Sequence, residues 1–86
     1  MSVSCITGRW SKHLSMHPNV SRGLESDKRF NQMLLELLEA HGSRIPSRMH
    51  SGDAFETRYG GLRLTTRCSA RGVRSYIMLA PKGRHR

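Results

Sequence analysis

A chain of 86 residues has room for one small domain, which buries only about 60 to 65% of its unfolded surface and keeps a narrow margin of stability. Its 15 Lys+Arg against 6 Asp+Glu give a formal charge of +9, which repels itself and is drawn to polyanions such as nucleic acid or an acidic protein face. Apolar residues make up 36% of the chain, and no run approaches the roughly 20 residues of a membrane span, so a transmembrane or secreted protein is not expected and a basic, non-secreted binder of cytoplasmic type is.

The first 24 residues carry Arg9, Lys12 and Arg22 and no acid. Ile6, Trp10, Leu14 and His17 recur at nearly helical spacing, which predicts a short helix over about 6 to 16, or else a basic arm, with Trp10 needing burial. This acid-free segment also resembles an organelle-targeting sequence, making a mitochondrial location the alternative to a cytoplasmic one. His13 and His17 are spaced H-x3-H, yet the distance from Cys5 matches no standard zinc finger. No metal or other cofactor is expected, and Cys5 and Cys68, a single widely spaced pair, read as two reduced thiols.

The α+β core is expected over 25 to 80. Phe30, Leu34, Leu37, Leu38 and His41 fall on one helical stripe, with Met33 beside them and Glu36 and Glu39 opposite. Ser26 or Asp27 suits the start, and Gly42 a left-handed C-terminal cap, so the helix is predicted over about 26 to 41. Leu35, off the main stripe, leaves apolar surface open, and with unpaired sheet edges makes a homodimer plausible. Residues 43 to 53, with Pro46, Gly52 and several Ser, read as a loop.

From Ala54 the period changes to two. Phe55, Thr57 and Tyr59, then Leu62, Leu64, Thr66 and Cys68, then Val73, Ser75, Ile77 and Leu79 alternate with polar residues. Turn signals at Gly60-Gly61 and Ser69 to Gly72 separate the runs. This predicts a three-stranded antiparallel sheet with the helix packed on one face. Phe55, Tyr59, Leu62, Leu64, Ile77 and Leu79 are expected toward the helix, and Arg58, Arg63, Arg67 and Arg74 on the opposite face with Tyr76 among them. Residues 57 to 86 hold eight cations and no acid, and the tail over 81 to 86 adds Lys82 and Arg84 as a basic arm.

Twelve of the fifteen cations are arginine, whose planar guanidinium bonds phosphate bidentately and stacks on bases. The expected function is binding of RNA or DNA phosphates through Arg58, Arg63, Arg67, Arg71, Arg74, Lys82 and Arg84, with Tyr76 stacking a base. The alternative is a small regulatory or inhibitory protein docked on an acidic partner. A second alternative is catalytic. An α-β-β-β order with a histidine beside a basic face resembles, in layout, small toxin nucleases of the double-stranded-RNA-binding fold, although their glycine-serine-histidine signature is absent. That resemblance implies His50 as general acid/base, with Arg48 or Arg58 stabilising phosphate charge.

Overall fold

The computed structural model describes residues 3–80. In chain order these form β1 (Ser4–Ile6), a 3-10 turn (Trp10–His13), β2 (Leu14–Met16), α1 (Pro18–Ser26), α2 (Lys28–Arg44), β3 (Arg48–His50), β4 (Ala54–Tyr59), β5 (Leu62–Ser69) and β6 (Gly72–Leu79). The fold is α+β and contains the antiparallel meander β4-β5-β6. The sheet is larger than expected, however: β2 joins β6 in parallel to give a four-stranded mixed sheet in the order β2-β6-β5-β4, and β1 pairs with β3 as a separate antiparallel ribbon.

The helix expected over 6 to 16 is not formed. Thr7 fastens this segment across the fold, its N–H to Ser47 O at 3.1 Å and its hydroxyl to Pro46 O. Trp10 turns inward on the 3-10 turn, and Leu14 and Met16 then alternate with Ser15 along β6. Ile6, the first residue of the supposed helical stripe, is 71% exposed. Leu14 and Met16 follow the shorter period of a strand, and Thr7, Gly8 and Ser11 are weak helix formers. His17 ends the strand with its N–H on Ile77 O at 2.8 Å and caps α1, its Nδ1 accepting from Asn19 N–H at 3.1 Å, with Pro18 at the first helical position, where a missing N–H costs nothing.

Asp27 caps α2, accepting from Arg29 N–H at 2.9 Å. The apolar stripe lies as its spacing requires: Leu34, Leu37 and His41 are buried, Phe30, Met33 and Leu38 pack at its margins, and Leu35 is exposed. The helix nevertheless continues through Gly42 to Arg44. Its stop is set by Pro46, which forces the preceding Ile45 into extended backbone. Gly42 instead lies beneath the Trp10 ring, where a Cβ would meet Cζ2 and Nε1 at 3.5 Å.

Leu62, Leu64 and Ile77 meet Leu34, Leu37, Val20 and Trp10 in the main core. Tyr59 and Leu79, expected there, lie at the rim and are exposed, and the Tyr59 hydroxyl donates to Glu36. The core also holds a polar chain. His41 Nε2 and Nδ1 lie 2.8 Å from Thr66 Oγ1 and Thr57 Oγ1; Thr66 and Ser75 hydroxyls are 2.6 Å apart, and Ser75 donates to Trp10 O at 3.0 Å. Since the Ser75 proton goes to that carbonyl, Thr66 must donate to Ser75 and His41 Nε2–H to Thr66. Burial disfavours the imidazolium and pushes the His41 pKa down to about 4, which leaves Nδ1 of the neutral ring to accept from the Thr57 hydroxyl.

A second cluster, Cys5, Met49 and Cys68, with Ile45, Phe55 and Val73 against it, seats the β1-β3 ribbon beside the sheet. Here the expectation of two thiols is overturned. Cys5 and Cys68 form a disulfide, their Cα atoms 6.2 Å apart and 63 residues apart in sequence. Sequence distance concealed the pair because the ribbon folds the N-terminus back across β5.

Candidate nucleic-acid interface

The face of the four-stranded sheet turned away from α2 takes its composition from the pleat. Side chains alternate, so burying Leu62, Leu64, Thr66 and Cys68 of β5 sends Arg63, Thr65 and Arg67 outward. Antiparallel register then aligns residues into rows: Ala54, Arg67 and Arg74; Glu56, Thr65 and Tyr76; Arg58, Arg63 and Met78. On the far side of β6, Ser15 of β2 extends the middle row. Together Ser15, Ala54, Glu56, Arg63, Thr65, Arg67, Arg74, Tyr76 and Met78 line a shallow groove of about 520 Å³. Tyr76, 38% exposed, stands in its middle row with arginine in the row on each side.

The four sheet arginines differ in how far their charge is already engaged. Arg58 Nε donates to Glu56 Oε2 at 2.7 Å, and Arg63 Nη1 is 4.0 Å from Glu56 Oε1. Among the described residues, Glu56 is the only carboxylate lining the groove. Arg63 lies down on its neighbour, Nη2 to Met78 Sδ at 2.8 Å, with Nε buried and without a hydrogen-bond partner. Among the described residues, Arg67 and Arg74 have no ion pair and no side-chain hydrogen bond, although they are direct cross-strand partners.

The remaining candidates lie elsewhere. Arg71 sits in the β5–β6 turn and lines a different cleft. Lys82 and Arg84 lie outside the described residues. His50, on β3, shares a face of the ribbon with Arg48 two residues before it, and its ring Nδ1 is 3.9 Å from Asp53 Oδ2. Arg58 belongs to the other sheet. Among the described residues, no group of three or more His, Cys, Asp and Glu is placed to hold a metal ion. Glu56 was not among the expected site residues; its place two residues before Arg58 on one strand, and so on the same face, was the available signal.

Compared with protein-family models, curated proteins and solved structures, this chain matches none.

Proposed function

We propose that this chain binds single-stranded nucleic acid on the exposed sheet face, contacting phosphates through Arg67, Arg74 and Arg63 and stacking a base on Tyr76. The observation that carries this reading is the alignment of unpaired Arg67 and Arg74 in the row next to Tyr76. Same-face residues along a strand are about 6.6 Å apart and neighbouring strands about 4.8 Å, so the groove offers cations on either side of an aromatic at nucleotide scale. Arg63 contributes by rearrangement. Its Nε has no partner where it rests, an arrangement that costs about 1 to 3 kcal/mol, so turning toward a phosphate relieves a cost as well as making a bond. Tyr76 favours single strands, whose bases are free to unstack onto an aromatic.

The test is fluorescence anisotropy with random single-stranded RNA, single-stranded DNA and duplex at two salt concentrations. Log affinity for single strands should fall with log salt by about 0.7 per phosphate contacted. Tyr76→Ala should weaken single-strand binding by about 1 to 3 kcal/mol and duplex binding far less. No binding of any form at low salt removes the proposal and leaves docking on an acidic protein as the explanation of the face. RNA cleavage lost in a folded His50→Ala variant would support the nuclease reading instead.

On location, no helix among the described residues is long and apolar enough to cross a membrane. The cytoplasmic setting is a proposal that the Cys5–Cys68 bridge puts to the test, because a reducing cytosol holds such cysteines as thiols.

A further inference from the structure

A second cleft, of about 560 Å³, opens between the N-terminal segment and the β5–β6 turn, and shares no lining residue with the sheet groove. Arg9, Lys12 and His13 of the N-terminal segment and Arg71 of the turn line it together with Ser4, Cys5 and Ser69, and among the described residues no carboxylate does. We infer that this cleft is a binding site for a phosphate group. Four observations carry the inference.

The first is convergence: three permanent cations, from segments about sixty residues apart in sequence, are held around one hollow. Like charges gathered in this way repel unless an anion enters. Second, these cations are available. Among the described residues the side chains of Arg9, Lys12 and Arg71 have no ion pair and no hydrogen-bond partner.

Third, the walls are fixed. Buried Trp10 anchors the 3-10 turn, whose Lys12 N–H bonds Arg9 O at 2.9 Å, and the Cys5–Cys68 bridge ties β1 to the end of β5 next to the turn. Arg71 N–H donates to Ser69 Oγ at 3.2 Å, which shapes the turn that carries Arg71. Fourth, the donor set suits the ligand. Two guanidinium forks, an ammonium and an imidazole N–H match an oxyanion with several acceptor oxygens and more than one charge, which is a phosphate rather than a carboxylate. A free phosphoanion and a phosphate at the end of a strand present the same group.

The test is an NMR titration of the full chain with inorganic pyrophosphate at constant ionic strength. Backbone signals of residues 9 to 13 and 69 to 73 should shift and saturate. Arg71→Ala and Arg9→Gln, at exposed side chains, should each weaken binding about tenfold, the worth of one charge-assisted hydrogen bond, while Lys28→Ala, at an exposed cation lining neither cleft, leaves it unchanged. Absence of a saturable shift, the same shift from sodium chloride alone, or equal affinity in Arg71→Ala and Arg9→Gln overturns the site. Comparison of 5′-phosphorylated with 5′-hydroxyl oligonucleotides then identifies the source. A preference for the phosphorylated strand that Arg71→Ala abolishes assigns the cleft to strand ends, and saturable pyrophosphate binding without that preference assigns it to a free phosphoanion. Because the shifts are read at residues 9 to 13 and 69 to 73, none of which lines the sheet groove, failure of the sheet-face reading leaves this result standing.

Discussion

Arg67 of β5 and Arg74 of β6 stand directly opposite each other in the antiparallel ladder, two like charges with no carboxylate in their row. Such pairs destabilise a sheet by a few tenths to about 1 kcal/mol. Stability and binding should therefore respond in opposite directions to one substitution. Arg67→Glu creates a cross-strand ion pair with Arg74 and should raise unfolding stability by about 0.5 kcal/mol, read as a higher urea midpoint. The same change should abolish low-salt binding of single-stranded nucleic acid. A variant that is stabilised and still binds would mean that the face is merely solvated.

His41 gives a pH prediction with a defined sign. Its folded pKa lies near 4, below the ordinary value of 6.5, because burial disfavours the imidazolium. Between those values the unfolded chain takes up the proton more readily, so stability is complete above about pH 6.5, falls as the pH drops toward 4, and loses no more from this group below that. A shift of this size corresponds to roughly 3 kcal/mol. Urea midpoints measured from pH 7.5 to 4 should fall accordingly, and a flat profile would refute the assignment of a neutral, buried ring.

The meander and α2 were legible because each obeys one dominant period. Leu34, Leu37 and His41 share a helical stripe, while Leu62, Leu64 and Ile77 alternate with polar residues, so burial of one set placed the arginines on the other. The N-terminal third was not, because two periods compete there. Ile6, Trp10 and Leu14 imitate a helix, and what places Leu14 and Met16 in a strand is the open edge of β6, about sixty residues away. The Cys5–Cys68 bridge and the second cleft depend on that same long-range return. His41 was read as part of the stripe, but only the register that brings Thr66 opposite Ser75 reveals why a polar ring is tolerated there.

The bridge closes a loop with a sequence separation of 63 residues, which by loop-closure entropy is worth about 4 kcal/mol to the folded state. For a chain this small that is a large part of its total stability. Thermal unfolding followed by circular dichroism should show the melting temperature lowered by about 20 °C when reductant is added, and a Cys5→Ser/Cys68→Ser variant should match the reduced protein. The ribbon should loosen before the meander, visible as faster amide exchange at Met49 than at Leu64. A melting temperature indifferent to reductant would remove the bridge from the account of stability.

Two adjacent glycines should give opposite results. Gly60 opens the two-residue turn between β4 and β5 with φ 59°, in the left-handed region that costs an ordinary residue about 1 to 2 kcal/mol, and a Cβ there would run into Met33 of α2. Gly61 beside it has no positive φ and no atom close enough to meet a Cβ. Gly60→Ala should therefore destabilise by about 2 kcal/mol and disturb the packing of α2 on β4. Gly61→Ala should be neutral or stabilise by up to about 1 kcal/mol, by restricting the unfolded chain. Chemical denaturation of the two variants decides the matter: equal losses would mean that backbone freedom is needed throughout the turn, and no loss at Gly60 would mean that Met33 and the turn move aside without cost.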